Sequence, residues 1–181
     1  GPLYIYSRNI VRRRIEQMSS ALNGVQLFYA MKANANAEIL KVVKNAGCNV
    51  DVVSLGEVNR ALEIGFTPEQ IIFSGVGKTK HEIAQSLKYG IHQLNAESEP
   101  EVDRISQLAK ELGVTANVVL RLNPNIDIKT HPYIATGLKE NKFGIELSKV
   151  EGLIQKFLQP GSHLCLKGIS LHLGSQMLEI E

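Results

Sequence analysis

The sequence predicts an α/β fold of repeated strand–helix units, best matched by a (β/α)8 TIM barrel of which about six units are present. Three observations lead there. Strand-like apolar runs recur as "VQLFYAM" (25–31), "NVDVVS" (49–54), "QIIFSG" (70–75), "IHQLNAE" (91–97), "NVVLRLN" (117–123) and "LKGISLHLG" (166–174). Amphipathic helical patterns lie between most of them. The polar residues that close the early strands, Lys32, Ser54, Ser74, Glu97 and Arg121, follow one another at intervals of 20 to 24 residues, the length of one strand plus a compact crossover helix. Strict alternation predicts parallel pairing with right-handed crossovers. Polar groups at successive strand C-termini favour the barrel, whose active sites form at that edge. An open doubly wound sheet remains the alternative, weakened because no dinucleotide fingerprint follows the first strand.

The helices justify themselves in turn. "AEILKVVKNA" places Ile39, Val42, Val43 and Ala46 on one face, and "EPEVDRISQLAKEL" does the same with Val102, Ile105, Leu108, Ala109 and Leu112. Gly47, Gly65, Gly90 and Gly113 stand where a left-handed cap ends a helix, and a strand follows each within a few residues. The segment "PNIDIKTHPYIATGLKENKFG" (124–144) is a long loop after the fifth strand. Loops of that length are usually functional or disordered, and its place at the barrel's C-terminal edge suits a lid or substrate loop.

Composition narrows the field without naming a chemistry. The 181 residues are 44% hydrophobic, and 20 Lys+Arg against 18 Asp+Glu leave a net charge of +2. That balance gives no electrostatic case for nucleic acid or a membrane surface. Arg12-Arg13-Arg14 reads as a solvated helix face. No apolar run approaches the roughly 20 residues of a transmembrane helix, and no N-terminal signal pattern is recognisable. Cys48 and Cys165 read as free thiols of a reducing compartment, and no cysteine–histidine spacing offers a metal site. The expectation is a soluble, cytoplasmic domain.

Several residues are candidates for chemistry, each with an ordinary structural alternative. If "LFYAMK" is a strand, Phe28, Ala30 and Lys32 share a face. Lys32 then enters the barrel mouth partly desolvated, which suits an amine that condenses with a carbonyl; the alternative is a lysine leaning into solvent. "SGVGKTK" resembles the end of a phosphate loop, but Ile72 occupies the position of the required first glycine, so it reads as a flexible connection into the next helix. Arg121 closes an apolar strand and needs an anionic or ring partner, with an ion pair to Glu97 as the alternative. Asp51 and Glu57 bracket the second strand's end without forming a carboxylate pair by spacing. His172 shares a face with Ser170 and Gly174, and Ser175 offers a hydroxyl and an amide to an anion; the alternative for His172 is a satisfied core histidine.

Taken in order, "YAMKAN", "DVVSLGE", "FSGVGKT", "NAES", "LRLNP", "THPYIATGLKENKFG" and "HLGSQ" resemble the diaminopimelate decarboxylases, pyridoxal-phosphate enzymes of the alanine-racemase-like barrel class. The resemblance runs from "PLYIYS" to "HLGSQ". "YAMKAN" with "HLGS" alone would mark only the wider class that includes ornithine and arginine decarboxylases, whereas "THPYIATGLKENKFG" points to the diaminopimelate branch. The resemblance implies that Lys32 is the Schiff-base lysine and that His172 stacks on the cofactor ring. It further implies that Ser175 contacts the phosphate, and that Asp51, Glu57 and Arg121 are polar residues around the cofactor, Arg121 near its phenolic oxygen. The implied reaction converts meso-diaminopimelate to L-lysine and CO2, with a homodimer in the full-length protein.

The family pattern continues with a glycine-rich phosphate loop, a Glu-Pro-Gly-Arg motif and a C-terminal β-domain that brings a cysteine and a tyrosine across a dimer interface. None of these is in the chain. The expectation is one pyridoxal-binding barrel domain over 1–181, incomplete at its C-terminal end and inactive alone. The competing expectations are an ornithine or arginine decarboxylase, a non-catalytic cofactor-binding homologue, and a generic sugar-phosphate barrel enzyme.

Overall fold

The structure, a computed structural model, describes residues 1–124 and 143–172. They fall into two compact units, one of Gly1–Phe73 with Tyr89–His92, the other of Ser74–Lys88 with the residues from Gln93 onward.

In the first unit, helix α1 (Arg8–Ala21) precedes strand β1 (Phe28–Ala30), helix α2 (Ala37–Asn45), strand β2 (Asn49–Val52), helix α3 (Leu55–Ile64) and strand β3 (Ile71–Phe73). β1 pairs with β2 and β2 with β3, both parallel. Met31, Leu40, Val43, Val50, Val52, Val58, Ala61 and Ile71 are fully buried and form its core. The face α2 buries is Ile39, Leu40 and Val43, so Leu40 takes the place expected of Val42.

In the second unit, helix α4 (Lys80–Tyr89) leads to strand β4 (Gln93–Ala96), helix α5 (Glu99–Leu112), strand β5 (Ala116–Asn123), the two-residue strand β6 (Ile145–Glu146), helix α6 (Leu147–Leu158) and strand β7 (Leu164–Leu171). β5 pairs in parallel with β4, β6 and β7. Six of its eight residues are buried, as expected of a strand covered on both faces. α5 buries Val102, Ile105 and Ala109 as expected and, unexpectedly, Glu101.

The predicted glycine caps are present: Gly47, Gly65, Gly90 and Gly113 have φ of 76°, 93°, 69° and 66°. Three helix starts, those of α3, α4 and α5, share one capping arrangement. Ser54 Oγ accepts the Glu57 N–H, Thr79 Oγ1 the Glu82 N–H and Ser98 Oγ the Glu101 N–H. In each case the glutamate carboxylate returns to a backbone N–H at the helix entrance, that of Val53, Thr79 and Glu97 respectively. Two otherwise unsatisfied donors are met at each start. Two expectations shift. The first strand stops at Ala30, short of Met31 and Lys32, and β6 adds a strand just after the long loop, most of which (125–142) lies outside the described residues.

Candidate active site

The first unit explains why the chain turns at "AMKANAN". After Ala30 the backbone enters a single 3-10 turn, Met31–Ala33, with Met31 fully buried. The turn is locked from both sides. Tyr29 donates its hydroxyl to the Asn34 carbonyl at 3.2 Å, Asn34 Oδ1 accepts the Asn36 N–H at 2.9 Å, and Asn36 Oδ1 caps α2 by accepting the Glu38 N–H at 2.9 Å. The alternating asparagines are thus a turn residue followed by a helix cap. Burial raises the Tyr29 hydroxyl above a phenol's ordinary pKa.

Lys32 sits at the middle of this turn, so the face it shares is set by the 3-10 geometry and not by strand alternation. It is exposed, which corrects the expectation of partial desolvation. Among the described residues its ammonium enters no hydrogen bond or ion pair. Asp51 lies in β2 in register with Ala30, two residues before Lys32, and its Oδ1 is buried. Glu57 closes the cap of α3 by accepting the Val53 N–H at 2.8 Å, a structural duty in its own right.

The second unit holds a cluster of buried charge at the C-terminal ends of β4 and β5. Arg121 Nη1 donates to both oxygens of Glu97, each at 2.8 Å, so the ion pair posed as the structural alternative is present. The Arg121 Cζ also lies 5.7 Å from the centre of the Phe143 ring, within cation–π range. Phe143 and Gly144 end the long loop. Gly144 has φ of +88°, and a Cβ there would stand 3.0 Å from Asn123 N and from Leu122 C. The loop's exit therefore lies against the last residues of β5. His172 follows β7 directly and is exposed; Ser170, two residues earlier, is in register with Arg121. Ser175 lies outside the described residues.

Behind Glu97 stands Lys78, nearly fully buried. Its ammonium donates to the Gly75 carbonyl at 2.7 Å, the Asn95 carbonyl at 2.7 Å and Glu101 Oε1 at 2.8 Å. Glu101 Oε2 accepts the Glu97 N–H at 3.0 Å, and Glu97 Oε1 accepts the Gly75 N–H at 3.0 Å. With Thr79 capping α4, both polar residues of "GKT" are occupied by the fold, in keeping with the rejection of a phosphate loop. The sequence reading missed Lys78 and Glu101. The available signal was a lysine followed 23 residues later by a helix-start glutamate, one strand–helix unit apart.

These side chains suit a pyridoxal cofactor by their chemistry. An uncommitted primary amine can take an aldehyde, a guanidinium can hold an oxyanion, and an imidazole can lie flat on a ring. Parallel strands alternating with helices make each unit α/β in class. The family model described as "Pyridoxal-dependent decarboxylase, pyridoxal binding domain" matches residues 8–181, and the chain belongs to that family. It is 44% identical over 181 residues to a diaminopimelate decarboxylase of Campylobacter jejuni, covering 99% of this chain and 45% of the relative. A Pseudomonas aeruginosa diaminopimelate decarboxylase is 42% identical, covering 99% of this chain and 44% of the relative. The crystal structure of diaminopimelate decarboxylase from Helicobacter pylori complexed with L-lysine superposes with a TM-score of 0.90 at 42% identity, covering 99% of this chain and 46% of that one. The fold is that of a partial barrel of this class, and the chain spans under half the length of these relatives.

Proposed function

We propose that the intact protein carrying this chain is a pyridoxal-phosphate-dependent decarboxylase that converts meso-2,6-diaminopimelate to L-lysine and CO2. The observation that carries the reading is Lys32, an exposed amine without a bond among the described residues, on a turn directly after β1, in a chain whose family binds pyridoxal. The named relatives support the substrate, and the order of motifs ending in "THPYIATGLKENKFG" supports the same branch. The cytoplasm, a homodimer and inactivity of these 181 residues alone belong to the same proposal.

The chain's residues divide the work. When bound, the cofactor supplies a conjugated pyridinium that accepts the electron pair left on the α-carbon as carboxylate departs. Lys32 would hold the cofactor through Nζ and would be the amine that carries the proton destined for the α-carbon. Arg121, held by Glu97, presents the remaining donors of its guanidinium, on Nε and Nη2, to an oxyanion. His172 would give the ring a flat surface, Ser175 would give the phosphate a hydroxyl, and Asp51, in register with Ala30, would supply a carboxylate. In balance, one C–C bond breaks, CO2 leaves, and a proton replaces it on the α-carbon.

The test is to supply the intact protein and cofactor with meso-diaminopimelate, ornithine and arginine in parallel. Lysine and CO2 are expected from the first, with kcat/KM at least about 100-fold above the others. Preference for ornithine or arginine would move the protein to that branch, and no CO2 from any of them would sink the decarboxylase reading.

A further inference from the structure

Lys78 is nowhere near a role by the sequence, yet it is the most thoroughly anchored charge among the described residues. Its ammonium donates to the Gly75 carbonyl, the Asn95 carbonyl and Glu101 Oε1, as many acceptors as an ammonium has protons. These acceptors lie on the loop after β3, on β4 and on α5. A buried ion pair is a weak device for stability, because packed apolar residues of similar size commonly serve as well or better. Stability alone is therefore a weak account of it, and the bonds leading away from it supply another.

From Lys78 the connections lead to Arg121. Glu101 is held by Lys78 through Oε1 and holds the Glu97 backbone through Oε2. The Glu97 carboxylate accepts from Gly75, whose carbonyl is itself fixed by Lys78, and both of its oxygens accept from Arg121. Backbone and side chain of Glu97 are therefore each tied to Lys78 by a separate path. Two cations and two carboxylates balance one another through these bonds, and the Arg104 guanidinium donates to the Lys78 carbonyl at 3.4 Å beside them. Side-chain exposure falls from 18% at Arg121 to 3% at Glu97 and 1% at Lys78. The cluster thus has one end that solvent reaches, and that end is the guanidinium.

We propose that Lys78 and Glu101 are positioning residues that fix Glu97 and, through it, the direction in which Arg121 offers its guanidinium to an oxyanion of the cofactor. The inference rests on the reading of Arg121 as a cofactor contact. Neither Lys78 nor Glu101 touches the reacting atoms; their contribution is the precision with which Arg121 is held.

The test compares three forms of the intact protein, purified without cofactor and titrated with pyridoxal phosphate by absorbance. Lys78→Met combined with Glu101→Leu removes both charges together and so avoids leaving one buried and unpaired. Ile105→Ala, a fully buried site on the same helix α5 outside the cluster, lowers stability by a cavity alone. The pair is expected to bind the cofactor more than about threefold more weakly than Ile105→Ala at a melting temperature no lower than that of Ile105→Ala. A ratio of about threefold or less means that the cluster is only structural and overturns the proposal. If the pair does not fold, Glu97→Gln, which keeps the shape and removes the charge that holds Arg121, is judged by the same ratio. A wild-type protein that gives no absorbance change on titration overturns the cofactor reading itself, and this inference with it.

Discussion

A single nitrogen of Arg121, Nη1, holds both carboxylate oxygens of Glu97 at 2.8 Å, and the two side chains are unequally buried, 18% exposed against 3%. That asymmetry sets what each substitution costs. Arg121→Met leaves a carboxylate buried without its cation and is expected to cost about 3 kcal/mol of stability. Glu97→Gln leaves an arginine that water can still reach, and about 1–2 kcal/mol is expected. In urea unfolding, the double variant should be more stable than the sum of the two losses predicts, by about 1–3 kcal/mol. Simple additivity would mean that the contact contributes nothing.

The helix-start glutamates look alike in sequence but differ in what they carry. Glu57 accepts the Val53 N–H alone among the described bonds, whereas Glu101 accepts the Glu97 N–H and also neutralises buried Lys78. Glu57→Ala should therefore cost about 1 kcal/mol, a typical capping loss, and Glu101→Ala about 3 kcal/mol or more. Equal shifts in the unfolding midpoint would contradict the geometry described for Lys78.

Two glycines with similar backbone angles should respond differently to a methyl group. Gly144 (φ +88°) would bring its Cβ against the backbone of Leu122 and Asn123 at 3.0 Å, whereas Gly65 (φ +93°) would meet only the movable end of Lys44. Gly65→Ala is expected to cost about 1–2 kcal/mol from the left-handed backbone alone. Gly144→Ala adds displacement of the end of β5, beside Arg121, and should cost clearly more while also weakening cofactor binding. Thermal unfolding and a cofactor titration on both variants decide it.

Alkaline pH should loosen the first unit. Burial pushes the Cys48 thiol up from its ordinary value, and the Tyr29 hydroxyl likewise. Both acids are held in their neutral forms by the fold, so the folded state keeps protons that the unfolded state releases. Their contribution is complete below the ordinary thiol value of about 8.5 and is lost as pH rises through the raised folded values. The urea midpoint should fall between about pH 8 and pH 10, and less steeply in Cys48→Ala. An unchanged slope in that variant would rule the thiol out.

The parts of the fold visible in the sequence were those that repeat. Strand-end residues one unit apart come side by side in a parallel sheet, which is why the Arg121 and Glu97 pair could be anticipated from a spacing of 24 residues. The glycine caps were equally visible, because only a residue tolerant of positive φ serves there. The end of β1 was not: "FYAMK" alternates like a strand, but the asparagines at 34 and 36 organise a turn and a helix cap, and they decide where the strand stops. β6 is two residues long, too short for any periodicity. Glu101 reads as an ordinary acidic residue in a helix's first turn, and its burial is explained by Lys78, from the preceding strand–helix repeat, together with the Glu97 N–H.

The most direct test of the central claim is chemical. The intact protein, loaded with pyridoxal phosphate, is treated with borohydride, digested and sequenced by mass spectrometry. The account predicts a phosphopyridoxyl group on the Nζ of Lys32 and on no other lysine, with the label abolished in Lys32→Ala. A label on Lys78 or any other lysine, or none on a protein that has bound the cofactor, would contradict it.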